Sequence, residues 1–136
     1  MASNGLITVE SRFGVTETID RLVEAVKHAG LLVFARIDHA AGAHDVGASL
    51  RPTELLIFGN PRGGTPLMQD SQLAGIDLPV KALAWEDEDG KVWLSYNDAN
   101  WIAERHGLGD ASRAAVAAIA AGMEKVIAAA AGADQS

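Results

Sequence analysis

At 136 residues and a formal net charge of −7, the chain has the length of one domain with one sizeable core. Its acidity argues against non-specific nucleic-acid binding, which depends on Lys and Arg neutralising phosphates, and against docking on anionic membrane. Apolar residues make up 49% and charged ones 21%, a globular balance, and the lack of cysteine removes thiol nucleophiles, disulfides and thiolate metal sites.

The N-terminal stretch MASNGLITVESR lacks the basic start and apolar run of a secretory signal. With no cysteine to oxidise, the expected location is the cytoplasm. Gly5 to Glu10 reads as a strand through Leu6, Ile7 and Val9. Thr16 is the expected N-cap of a first helix, with Ile19, Leu22, Val23 and Val26 at helical spacing and Gly30 at its C-terminal cap. Leu31 to Asp38 is a near-continuous apolar run, which predicts a strand partly covered on both faces. His39 to Ser49 is small and polar, and its pattern does not decide between loop and short helix.

Glu54 to Phe58 is the next strand, stopped by Gly59-Asn60-Pro61. Thr65-Pro66 offers an N-cap followed by proline at the first helical position, so a short helix is predicted from Pro66 to Leu73. Val80 to Trp85 and Val92 to Tyr96 read as a hairpin around Asp89-Gly90, with Trp85 and Trp93 on opposite arms. Asp98 caps a helix ending at Gly107. A last, Ala-rich helix begins near Asp110, with Val116, Ile119, Met123, Val126 and Ile127 as its apolar stripe. It carries Arg113, Glu124 and Lys125, which argues against a bilayer span, and residues after Gly132 are expected to fray. The expected class is α+β: one domain over residues 1–136, order β-α-β-β-α-β-β-α, a mostly antiparallel sheet with helices packed on one face.

Gly59 to Thr65 has the glycine spacing of a phosphate loop but no lysine to reach a terminal phosphate, which excludes nucleotide hydrolysis of that type. Two readings remain for it. The amides of Gly63, Gly64 and Thr65, with Arg62, can hold a small anion at a helix start, or the glycines can serve a structural turn. Asp38, His39, His44 and Asp45 lie close in sequence, but their spacing matches no metal pattern, so no metal or other cofactor is expected. Asp38 and His39 can alternatively form an acid–base pair at a strand end. The acidic turn Glu86 to Gly90 places Trp85 and Tyr96 where a calcium loop needs its first and last ligands, so it reads as a solvated hairpin tip. Gly47-Ala48-Ser49 begins like a nucleophile elbow, but Arg51 replaces its second glycine.

Ile37-Asp38-His39, Phe58-Gly59-Asn60-Pro61, Gly64-Thr65 with Met68, and Asp77-Leu78-Pro79, at their spacing here, resemble the domain-of-unknown-function 302 family. The resemblance covers about residues 5 to 107 and leaves the helix at 110–131 outside it. It implies a fold like one repeat of the TATA-binding protein, order β-α-β(4)-α, and a dimer, with no assigned activity and no catalytic residues. DNA binding does not follow from that fold. The leading reading is a non-enzymatic homodimeric module for a small molecule or anion, with Asp38, His39, Asn60, Arg62, Gly64, Thr65 and Tyr96 as its site. The alternatives are an enzyme using Asp38 and His39 as an acid–base pair, with or without a metal, and a structural module that dimerises through the last helix or a sheet face.

Overall fold

Five strands form one antiparallel sheet in the order β1-β5-β4-β3-β2. The computed structural model describes residues 4–132, so the fraying expected after Gly132 lies outside the described residues. In chain order the elements are β1 (Leu6–Ser11), α1 (Val15–His28), β2 (Leu32–Asp38), α2 (His39–Asp45), β3 (Thr53–Gly59), α3 (Pro61–Asp70), a 3-10 turn (Gln72–Asp77), β4 (Val80–Glu86), β5 (Val92–Asn97), α4 (Ala99–Arg105), a second 3-10 turn (Asp110–Ser112) and α5 (Arg113–Ala131). This is the expected mixed fold with its antiparallel sheet.

Alternation along the strands decides which face is covered. In β3, Glu54, Leu56 and Phe58 are buried while Thr53, Leu55 and Ile57 are only partly so; in β4 and β5 the buried positions are Ala82, Ala84, Val92, Leu94 and Tyr96. Against that face pack Val15, Ile19, Leu22 and Val26 of α1 and Met123, Val126, Ile127 and Ala130 of α5. Full burial of a Leu or Ile side chain is worth about 1.5–3 kcal/mol, so these two apolar stripes hold the layers together. α5 and its 3-10 lead-in are long and apolar enough to cross a membrane by length and composition; in this fold, the stripe predicted from sequence faces the core.

Several boundaries differ from expectation, each for a local reason. α1 begins one residue before Thr16, with Gly14 at the N-cap, because Thr16 is engaged elsewhere: its hydroxyl donates to Glu54 at 2.6 Å. At the other end, Ala29 is the C-cap and Gly30 follows it at φ 79°. β2 is an edge strand, so Leu32, Phe34 and Ile37 are well exposed rather than covered on both faces. The undecided segment after it contains α2, capped by Asp38, whose carboxylate accepts from the Ala41 amide at 2.9 Å. The hairpin has the expected register, Trp85 opposite Trp93 with ring centroids 6.4 Å apart. Its acidic tip is organised by Asp87, which accepts from the amides of Asp89 and Lys91 and from the Trp93 indole.

An apolar cavity beside the start of α3

The glycine-rich segment after β3 is not a loop. It is the first turn of α3, which starts at Pro61, five residues before the predicted helix. Asn60-Pro61 supplies the same N-cap and N1 chemistry as Thr65-Pro66, and supplies it sooner. The Asn60 carboxamide oxygen accepts from the Arg62 amide at 2.9 Å, and the Asn60 carbonyl accepts from the amides of Gly63 and Gly64 at 2.8 and 3.1 Å. Pro66 then sits inside the helix. Those amides are bonded within the chain, which removes the donors on which an anion site at this helix start would depend.

The turn forms one wall of a cavity of about 390 Å³. Phe58 and Gly59 at the end of β3 form its floor, with Leu78, Pro79 and Val80 entering β4 beside them. α3 contributes Pro61, Gly63, Gly64, Thr65 and Met68, while Ala118, Ile119, Gly122 and Met123 of α5 close the opposite side. Leu31 and the half-exposed Phe34 stand at the β2 edge. Small residues make the space. A Cβ built on Gly122 would meet nothing within 4 Å, so a side chain there would occupy the cavity itself.

Of the residues nominated from sequence, Asn60, Gly64 and Thr65 line this cavity. Arg62 is exposed and outside the lining. Asp38 and His39 are exposed at the far end of β2, where the Asp38 carboxylate is occupied as a helix cap. Among the described residues, no three His, Asp or Glu side chains gather as a metal site requires. Tyr96 lines a separate depression of about 480 Å³ with Ile7, Asp98, Asn100 and Glu124. Its phenol is held above its usual range by burial first, and then by the negative charges of Glu124 and Asp98. The sequence reading missed Gly122, Ile119 and Met123 because they come from the far end of the chain. The signal that was available is the motif set: Phe58 to Pro61, Gly64, Thr65, Met68, Leu78 and Pro79 all line the one cavity.

Asp77 does not line it but braces the wall. Its carboxylate lies 2.6 Å from His106 Nε2 and 3.1 Å from Arg105 Nη1, tying the segment before Leu78 to α4. Asp70 makes a similar stitch, accepting from the Gly109 amide and the Ser112 hydroxyl. Those two hydrogen bonds hold its carboxyl below the usual carboxylate range.

Over 129 residues the chain is 54% identical to a protein of Brucella suis biovar 1 (strain 1330) named fluoride-specific ion channel FluC 1, covering 95% of this chain and 51% of that protein. A protein of the same name from Brucella abortus biovar 1 (strain 9-941) matches at the same identity, covering 95% and 48%. The chain thus spans about half the length of the curated relatives it matches. Among solved structures it is similar to the crystal structure of an uncharacterized conserved protein DUF302 from Bacillus stearothermophilus, with a TM-score of 0.74 and 24% identity over 96% of this chain and 98% of that one. At that identity the likeness shows the fold. The family described as domain of unknown function DUF302 matches residues 7–130, which takes in α5 and moves the expected limit at 107 to the end of that helix. The chain belongs to the DUF302 family.

Proposed function

We propose that this domain is a binding module for a small molecule, held in the cavity between α3 and α5. One observation carries the reading: three of the four segments by which the sequence resembles its family, Phe58 to Pro61, Gly64-Thr65 with Met68, and Leu78-Pro79, meet α5 around a single cavity of about 390 Å³. That is within the range of small-molecule sites, which are concave and mostly apolar with a few placed polar groups. The anionic part of the sequence-based expectation loses support, since the first-turn amides of α3 are bonded to Asn60 and no charged side chain lines the cavity.

The expected homodimer stays in this reading. The face of the sheet away from α1 and α5 carries Leu55, Ile57, Leu83, Trp85 and Trp93, an apolar surface that a second copy can cover. The lack of cysteine supports a reducing, cytoplasmic setting. The name of the Brucella proteins belongs to proteins twice as long as the matched part. The cavity offers a fluoride ion no cationic side chain, so in such a protein we read this domain as a companion to the channel rather than its pore.

Amide chemical-shift mapping against a library of small apolar and aromatic fragments tests the proposal. Perturbations are expected to cluster at Gly59, Asn60, Gly63, Gly64 and Gly122. Shifts scattered over the surface, or confined to the neighbourhood of Tyr96, refute it.

A further inference from the structure

Resting on the cavity as the binding site, the geometry points to its ligand class: a neutral, mainly apolar molecule with one hydrogen-bond acceptor at its end. Size comes first. An apolar cavity of roughly 150 Å³ holds one benzene, so about 390 Å³ holds on the order of a dozen non-hydrogen atoms. Chemistry comes second. The walls are methyl, methylene, thioether and ring surface, with Met68 and Met123 able to adapt to an irregular shape. A charged group placed among them would lose its water and gain no partner, which costs several kcal/mol.

Two polar side chains interrupt the apolar lining, Asn60 and Thr65. The capping bond fixes which way the Asn60 carboxamide faces, because its oxygen must accept from the Arg62 amide. Its Nδ2 is therefore left as a donor, with no partner among the described residues. The Thr65 hydroxyl, one helical turn on and exposed at the mouth, likewise has no side-chain partner among them. A donor beside a hydroxyl suits a carbonyl or ether oxygen. A bare hydrocarbon would gain nothing from either group, and a carboxylate would bring its charge to apolar walls. The occupant is thus a medium-length ketone, ester or aldehyde, or an aromatic molecule with a carbonyl.

Displacement of bound 1-aminoanthracene fluorescence at neutral pH by 2-nonanone, nonane and nonanoate tests this. The wild type is expected to bind the ketone about five- to tenfold more tightly than the alkane, the worth of one added hydrogen bond, and more tightly than the carboxylate. Asn60→Asp keeps the cap but removes the donor, and Thr65→Val removes the hydroxyl without changing shape; both shrink the ketone-to-alkane ratio towards one. Gly122→Leu fills the cavity and abolishes binding of all three. Should that variant not give the wild-type circular dichroism, Gly122→Ala serves, with weaker loss. No aminoanthracene binding, or binding indifferent to Gly122, sinks the cavity reading itself. Binding that Gly122→Leu blocks, with nonanoate as tight as 2-nonanone or an unchanged ratio in both polar variants, keeps the cavity and overturns the ligand class. A Gly122→Leu protein of half the wild-type mass by light scattering, with no probe bound by either, makes the occupant a second copy and overturns both.

Discussion

Glu54 is a buried carboxylate on the core-facing side of β3, and two groups make it tolerable there. Thr16 donates its hydroxyl at 2.6 Å, and Arg36 brings Nε to 3.0 Å while its Nη1 reaches Asp20 at 2.8 Å. Burial alone would lower the Arg36 pKa, but the hydrogen bonds and charges of Asp20 and Glu54 outweigh it and raise the value. Removing one partner of a buried pair costs more than the pair itself contributes, because the other charge stays buried. Arg36→Ala is therefore expected to lower the unfolding free energy by about 1–2 kcal/mol in a urea titration, less than for a fully buried pair because Arg36 itself reaches solvent, whereas Asp20→Ala, at an exposed site, costs under about 1 kcal/mol. A loss equal for both would show that Glu54 does not depend on Arg36.

Tyr96 is the single tyrosine of the chain, so its ionisation can be followed alone by absorbance. Burial and the carboxylates of Glu124 and Asp98 raise its pKa in the folded state. The folded protein holds this proton more tightly than the unfolded chain does. Its contribution to stability is thus complete below the unfolded value of about 10 and is lost as pH rises through the folded one. Tyrosinate absorbance is expected to appear above the ordinary range in native protein and to return to it in urea, with Glu124→Gln moving the native value part of the way down. Titration at the same pH in both states counts against the burial seen here.

At the scale of elements, α3 shows most clearly what sequence can and cannot reveal. Two Asn/Thr-Pro signals lie five residues apart, and both satisfy the rule for a helix start. Glycines at 63 and 64 make the intervening turn look like a loop, since glycine is the poorest helix former after proline. The chain helicises it regardless, because Asn60 captures the amides of the first turn. Asn60→Ala is expected to cost about 1 kcal/mol by thermal or urea unfolding and Asn60→Asp far less, since aspartate caps as well as asparagine. Equal losses would mean that the amide oxygen is not the group that matters. The α1 stripe, the hairpin register and the tryptophan pair were legible because each is a local pattern with one physical solution. The cavity was legible only on one side. Titratable residues drew attention to Asp38 and His39, while a wall of methyl groups from α5 leaves no chemical mark in a sequence.

For the whole molecule, α5 has more than an accessory role. Its Met123, Val126, Ile127 and Ala130 belong to the same core as Ile19, Leu22, Leu56 and Leu94. Arg21 reaches across from α1 to the Ala129 and Ala130 carbonyls at the end of α5. Truncation after Gly109 is therefore expected to abolish cooperative unfolding by calorimetry. A folded, truncated monomer would instead recover the reading in which this helix serves only to join two copies. Fold class and the chain order of strands and helices were legible from the alternation of strand and helix patterns, whereas the order of strands across the sheet was not. The family limit was not, since an Ala-rich helix resembles many others and its role is set by what it packs on.

The neighbouring of β1 and β5 has a consequence for how the chain is made. Within this domain Leu6 to Ser11 are synthesised before every other described strand, yet their strand partner among the described residues is Val92 to Asn97, and α5, which covers that edge, is later still. During synthesis β1 must wait, unpaired, for nearly the whole domain. The domain cannot be completed a segment at a time from its N-terminus. Its last step is the joining of β5 and α5 to β1, after α5 has emerged from the exit tunnel.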